Sequence, residues 1–222
     1  MTRALDCNKC GGPVSFMSAF CPWCRVPLTW SDVPHLGRGA VIVERQYGRE
    51  PQLSPELAKW KGRPEPGVGV WFDMQTNKST RGKIVRPIAD VAATLTCIVH
   101  DSGGFGLYVR AHDAQDAVVC YVMRVRPMYR SYNFMRLASA AGVVHLDRIR
   151  PWEAVSVVRP AGQSNTIEVR CADSIFNLFV NDTHVATVVD ARFGFGEVHW
   201  ELSAYDAPSR ICLVSASVHH VA

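Results

Sequence analysis

The chain contains no run of eighteen or more apolar residues, so no membrane-spanning helix can be read from it. The six residues before Cys7 hold no apolar h-region. No secretory leader is therefore expected, and a cytoplasmic location follows. A virion component, or a protein released by lysis, would share these features. Convincing amphipathic helical periodicity is also missing. His100, His112, His145, His184 and the paired His219 and His220 show no metal-ligand spacing, so no second metal centre is expected. The net charge is only +4.

Patterned cysteine is abundant at the N-terminus. Cys7-Asn8-Lys9-Cys10 and Cys21-Pro22-Trp23-Cys24 are two Cys-x-x-Cys pairs separated by ten residues. That spacing suits a tetrahedral thiolate cage for one structural Zn²⁺, with Cys7, Cys10, Cys21 and Cys24 as ligands. Residues 1–30 are read as a zinc ribbon with little apolar packing beyond Phe16, Phe20, Trp23 and Trp30. Four thiolates leave no open coordination position, so the metal is not expected to be catalytic. Taken alone, Cys21-Pro22-Trp23-Cys24 has the spacing of a redox site, but the second pair ten residues upstream argues for metal. Cys97, Cys120, Cys171 and Cys212 lie in strand-like apolar runs and read as reduced, buried hydrophobes.

Residues 31–70 read as a connector interrupted by Pro34, Pro51, Pro55, Pro64 and Pro66 and by six glycines. Ala40–Val43 offers a short edge strand. Ser54 followed by Pro55 has the form of a helix start, predicting two helical turns to Trp60. Residues 71–222 are read as β throughout. The runs 91–99, 105–111, 118–126, 132–138, 143–146, 154–158, 166–171, 175–180, 184–189 and 197–202 are β-branched or alternating, with turn residues between them. Ten short strands without helices predict a β-sandwich. Alternation sets Phe105, Leu107, Val109 and Ala111 on one face and Tyr108, Arg110 and His112 on the other.

Several segments resemble, in order, the strands of concanavalin A-like jelly rolls, especially a laminin-G-like, keto-disaccharide-hydrolase-like branch. They are Phe105-Gly106-Leu107-Tyr108-Val109-Arg110, Cys120–Val125, Asn165–Val169, Ile175–Val185 and Phe195–Val198. In the fourth, Asp182 replaces the usual hairpin glycine, which an Asn-Asp turn tolerates. The fold class implied is mainly β: a small zinc ribbon plus a concanavalin A-like jelly-roll sandwich. The resemblance carries architecture and leaves activity open. Calcium is frequent in laminin-G-like domains, but no Asp/Asn cluster here names a site.

Glu197-Val198-His199-Trp200-Glu201 is similar to the carboxylate strand of jelly-roll glucanases, with Glu197 and Glu201 as the candidate catalytic pair. Alternation sends Val198, Trp200 and Leu202 inward and leaves Glu197, His199 and Glu201 on one face. Here His199 replaces the central carboxylate and the motif falls in the closing strand, so the sequence leans against catalysis. Tyr108 and Tyr132 are the nearest candidate sugar platforms. Between Phe105 and Pro160 eight arginines face four acidic residues. Such arginines suit bidentate contacts with carboxylate or phosphate, or simply a solvated strand face.

These features favour a non-catalytic module that binds a glycan or a protein partner, with Arg110, Arg124, Arg126, Arg136, His199 and Glu201 as candidate ligand-binding residues. One alternative is a structural subunit of a larger assembly, such as a virion decoration or scaffold protein, and another is a glycoside hydrolase. Nucleic acid is disfavoured as a partner, because the ribbon's basic groups are only Arg3, Lys9 and Arg25.

Metal analysis of protein purified without added zinc is expected to find one zinc per chain. Iron, or less than about half an equivalent of zinc, contradicts the assignment. Structural zinc contributes roughly 10–16 kcal/mol to such units, so Cys10→Ser should unfold residues 1–30 and leave the sandwich folded.

Overall fold

The computed structural model describes residues 5–6, 9–10, 13–14, 24–25, 36–49, 54–114, 117–140 and 143–221. Strands are numbered in chain order. One antiparallel sheet runs β11 (Val143–Ala154), β10 (Ser131–Ala140), β9 (Ala117–Arg126), β8 (Gly103–Ala114), β15 (Gly196–Ala204) and β6 (Lys78–Ile88). The other runs β14 (Thr183–Val189), β13 (Ile175–Val180), β12 (Ser164–Ala172), β7 (Val91–Val99), β16 (Ser209–Val221), β5 (Gly69–Met74) and β4 (Arg63–Glu65). Its eighth strand, β3 (Arg38–Gln46), pairs with β16. Together the two sheets form a jelly-roll β-sandwich. Among the described residues, no helix is long and apolar enough to cross a membrane.

The core is the set of side chains that alternation turns toward the opposing sheet. Phe105, Leu107 and Val109 of β8, Val198, Trp200 and Leu202 of β15, and Leu95, Cys97 and Val99 of β7 all enter it. Trp200 lies near Phe72 with ring centroids 6.2 Å apart. Gly82 of β6 makes room for that indole, since a Cβ there would stand 2.4 Å from it. Asn181 and Asp182 both hold positive φ, giving the two-residue hairpin turn expected between β13 and β14. All four later cysteines are buried. Burial raises the thiol pKa values of Cys97 and Cys171 and pushes Cys212 up to about 12, which keeps these sulfurs protonated and unreactive.

From residue 63 onward, four strands, β4, β5, β6 and β16, were absent from the predicted runs. β16 reads poorly as a strand because its middle is Ser215-Ala216-Ser217, yet it sits at the centre of its sheet. It pairs with β7 along one side, and on the other with β5 through Ser209–Leu213 and then with β3 through Ser215–Val221. Conversely, the predicted runs 143–146 and 154–158 are not two strands. The chain makes one long strand, β11, and Val155–Val158 form a turn closed by Val158 N–H donating to Val155 O at 3.2 Å. Pro151 is accommodated because β11 is an edge strand.

Much of the 31–70 connector belongs to the sandwich, so the second sheet begins well before residue 71. β3 extends the expected edge strand in both directions. The helix α1 (Pro55–Lys59) is shorter than two turns, is capped by the Ser54 side chain and buries Leu57. Upstream, residues 36–38 are pinned to the outer face of the eight-stranded sheet. Arg38 grips Glu168 with two charge-assisted bonds of 2.6 and 2.7 Å, and Arg170 holds the same carboxylate at 2.7 Å. Arg170 also donates to Leu36 O, and Leu36 N–H donates to Asn177 Oδ1, both at 2.8 Å. Burial opposes ionisation of Glu168, but the bonds from Arg38 and Arg170 outweigh it and hold its carboxyl below the ordinary range.

At the N-terminus β1 (Leu5–Asp6) pairs antiparallel with β2 (Pro13–Val14), which places Lys9 and Cys10 in the intervening turn. Cys7 and Cys21 lie outside the described residues, as does most of the expected ribbon. Among the described residues no three His, Cys, Asp or Glu side chains converge on a metal position.

A depressed carboxyl stabilises the fold above its unfolded pKa and loses that contribution as pH falls through its folded value. Glu168→Gln should therefore lower stability at neutral pH, and the deficit should vanish as the medium is acidified below the carboxylate range. A cost of roughly 1–3 kcal/mol is expected, less than for a fully buried pair because Arg38 is 39% exposed. Thermal melts of both proteins across pH 2–8, on the order set by ordinary carboxylate pKa values, check this.

Candidate functional site

The candidate site is the outer face of the six-stranded sheet. Register places Asn133 beside Arg124, Arg124 beside Gly106, Gly106 beside Glu201, and Glu201 beside Arg81, in one row across five strands. The adjoining row is Met135, Val122, Tyr108, His199 and Lys83. On the other side, Gly104 stands beside Ser203 and Ser203 beside Ser79. Gly104 and Gly106 thus alternate with core residues along β8 and leave its outer surface bare.

Neighbouring side chains lie across that bare strand. Arg124 reaches over Gly106 to Glu201, with Nε donating to Oε2 at 2.7 Å and Nη2 to Oε1 at 3.1 Å. Nη2 also donates to the Tyr108 hydroxyl at 2.7 Å, and that hydroxyl donates to Glu201 Oε1 at 3.0 Å. A Cβ at Gly106 would stand 2.9 Å from Arg124 Cγ and 3.2 Å from Glu201 Oε2, so a larger residue would displace this network. The guanidinium groups of Arg81 and Arg124 lie 5.4 and 5.8 Å from the Tyr108 ring centre. Burial, followed by the charge of Glu201, raises the Tyr108 phenol pKa and keeps it a donor. Although burial opposes its charge, Arg124 is held cationic by Glu201.

Glu197 lies on the same face. Lys83 donates to its Oε1 at 2.5 Å and His199 Nε2 stands 2.8 Å from its Oε2. Burial again opposes ionisation, but those two partners win and lower its pKa. Both carboxylates of the candidate catalytic pair are therefore engaged by cations or donors. A general acid for glycoside cleavage needs the opposite, a carboxyl kept protonated near neutrality.

At one end the face opens to solvent around Arg126. Its guanidinium carbon is 4.2 Å from the Tyr205 ring centre, 4.5 Å from Tyr129 and 5.6 Å from Trp152. Asp206 accepts from Arg126 Nη2 at 2.9 Å and from the Tyr129 hydroxyl at 3.3 Å. Gly104 again supplies the space, since a Cβ there would meet Tyr205 Cε2 at 2.9 Å and Arg126 Cγ at 3.4 Å.

Of the residues expected to bind ligand, Arg124, Arg126, His199 and Glu201 share this face. Arg110 and Arg136 do not. Val109 pairs with Tyr121 and His112 with Val119, so Arg110 and Ala111 together oppose Cys120 alone. That is a β-bulge, with Arg110 at φ 53°. It reverses the expected alternation, turning Arg110 inward and Ala111 outward beside Tyr108 and Cys120. The Arg110 side chain is 0% exposed. Nη1 donates to Asp173 O at 2.6 Å and Phe193 O at 2.9 Å, Nε donates to Ala89 O at 3.2 Å, and Nη2 faces the Asp90 carboxylate at 3.6 Å. Arg136 projects to the inner side of β10, where Asp190 and Asp147 hold it. Tyr132, the second candidate platform, is buried in the core and donates to Glu153.

Sequence reasoning missed Asn133, Arg81, Tyr129, Trp152 and Tyr205. The alternating Gly104-x-Gly106 was the available signal for a face crossed by long side chains. The rings around Arg126 had none.

No protein-family profile and no curated protein matches the chain. Solved structures do. One is a Bacillus subtilis protein of unknown function with a galectin-like fold, at 12% identity, covering 84% of this chain and 99% of that one with a TM-score of 0.59. Another is the κ-carrageenase of Pseudoalteromonas carrageenovora bound to an oligotetrasaccharide of κ-carrageenan, at 8% identity, 86% and 99% coverage, and a TM-score of 0.55. A third is a family 16 endo-glucanase from Bacteroides ovatus, at 7% identity, 80% and 94% coverage, and a TM-score of 0.54. The fold is what they share with this chain.

Arg110→Met keeps much of the volume but leaves three carbonyls without their donor. It should cost about 3–5 kcal/mol, seen as a lower urea midpoint at unchanged m. Tyr108→Phe, which spares the Arg124–Glu201 pair, should cost only about 1 kcal/mol. Equal effects of the two substitutions would contradict the structural role given to Arg110.

Proposed function

We propose that this chain is a non-catalytic recognition module that binds a glycan on the outer face of its six-stranded sheet. The observation that carries this is the open end of the face. There the exposed rings of Tyr129 and Trp152, 49% and 38% exposed, flank Arg126 beside a fixed polar network. Sugars have apolar C–H faces and a rim of hydroxyls, and rings beside preset donors and acceptors match both. The carrageenase and endo-glucanase neighbours support the reading, since their sandwiches serve enzymes of polysaccharides. Low identity limits that support to the scaffold.

Hydrolysis is the weaker reading. Lys83 and His199 favour the ionised form of Glu197, and both oxygens of Glu201 are already taken by Arg124 and Tyr108, whereas a retaining or inverting pair needs one carboxyl held protonated and both turned to substrate. The N-terminal pairs are proposed to hold one structural zinc, which fits the turn that carries Cys10 between β1 and β2 and the left-handed Arg25 after Cys24. Chemically, four thiolates would supply a closed, non-catalytic site.

One observation favours assembly as a second reading. β11 is a twelve-residue edge strand on which Val143, Val144 and Leu146 are about half exposed. Such an edge invites pairing with another chain.

A glycan array is expected to give hits that Tyr129→Ala with Trp152→Ala abolishes. β-Glucan hydrolysis should be absent and Glu197→Gln should leave binding unchanged; turnover lost in Glu197→Gln would instead establish the hydrolase. Light scattering separates the second reading: a large closed oligomer dispersed by Leu146→Glu, together with an empty array, would replace recognition by assembly.

A further inference from the structure

We infer that the site at Arg126 is built for an acidic sugar, its carboxylate or sulfate held by Arg126 and Tyr205; this rests on the glycan reading above. Three polar atoms around Gly104 and its neighbouring row are buried with hydrogen-bonding capacity left over: Arg126 Nε and Asn133 Oδ1 have no partner, and the Tyr205 hydroxyl has only the Ser203 side chain. Buried polar groups left unmatched are few in folded proteins, because each forfeits its hydration. Three in one patch call for something that supplies the missing partners.

Their chemistry specifies the ligand. Arg126 Nε carries an N–H that can only donate. The Tyr205 hydroxyl is held protonated, its pKa raised by burial and then by the charge of Glu201, so it too is a donor. The two side chains converge above Gly104, with the guanidinium 4.2 Å from the tyrosine ring centre. Two donors on side chains that pack together, one of them cationic, match an oxyanion better than a single hydroxyl. Asn133 Oδ1 needs a donor, and a ring hydroxyl of the same sugar provides one. Asp206 engages only the Nη2 edge of Arg126 and is itself largely exposed, so it leaves the Nε side to the ligand. Tyr129 and Trp152 flank this patch as exposed rings on which the sugar can stack. The centre of the face is unsuited to this task, since Arg124 already spends its fork on Glu201 and Tyr108.

Isothermal titration of the full chain with polygalacturonate, with a sulfated galactan and with carboxyl-reduced polygalacturonate tests the inference. Binding to one of the acidic polymers, at least about tenfold tighter than to the reduced one and weakened by salt, is expected. Which acidic polymer wins distinguishes carboxylate from sulfate. Arg126→Lys keeps the charge but loses Nε, and should weaken binding about tenfold. Tyr205→Phe keeps the ring and its packing, and should weaken binding by roughly threefold or more. Equal binding to acidic and reduced polymers, or full affinity in both variants, overturns the inference and leaves the glycan reading standing. No binding to any of the three, with hits elsewhere on a glycan array, also overturns it alone, whereas an empty array overturns both.

Discussion

One buried guanidinium closes an end of this sandwich. Arg110 projects from the middle of β8 and donates to carbonyls in three separate connections: Ala89 between β6 and β7, Phe193 between β14 and β15, and Asp173 between β12 and β13. The first two of these connections cross from one sheet to the other. A single planar cation therefore fixes where the chain changes sheets, and its charge lies over the Phe176 ring at 5.1 Å rather than in water. The bulge that turns it inward is accommodated by Gly196, whose missing Cβ would otherwise lie 2.3 Å from the Arg110 backbone. Burying a charge is costly unless it is compensated; here three backbone carbonyls take Nε and Nη1, and the Asp90 carboxylate faces Nη2 at 3.6 Å.

The same bulge divides β8 into two regimes. Before it, odd-numbered residues fill the core and Gly104, Gly106 and Tyr108 face outward. After it, Ala111 joins the outer face. Long side chains from β9 and β15 lie flat over the glycines, so the face carries a layer of paired charges in place of an apolar one. In that layer Glu201 and Glu197 act as acceptors that orient Arg124, Lys83 and His199. A surface so satisfied is rigid, which suits recognition, since little side-chain freedom is left to lose on binding. Its open end at Arg126 is the exception: unmatched Arg126 Nε lies there, with Asn133 Oδ1 in the row beside it.

On the opposite sheet, Glu168 plays a related part for the chain's own N-terminal side. By holding Arg38 and, through Arg170, Leu36, it anchors the segment that leads back toward the cysteine pairs. The connector is thereby built into the sandwich from residue 36, with β3 paired along the second half of β16.

Local pattern determined most of the architecture by itself. β-branched and alternating runs such as Val91–Val99 and Ile175–Val180, cut by Asn181-Asp182, are strands and a tight turn wherever they fold, because side-chain period and turn chemistry are properties of a few adjacent residues. Alternation likewise sorted Trp200 from Glu201. Tertiary structure alone decided the rest. The Ser-Ala-Ser middle of β16 becomes a strand because β7 and β3 flank it. Arg110 faces inward because a bulge inserts one residue and three distant carbonyls reward it, and no local signal marks an arginine at positive φ. Tyr129, Trp152 and Tyr205 meet Arg126 because cross-strand register and loop ends bring them together. Periodicity reports which face a side chain takes relative to its neighbours in sequence. Which partners stand on that face depends on how the strands are ordered and aligned, and that is fixed only when the sheets pack.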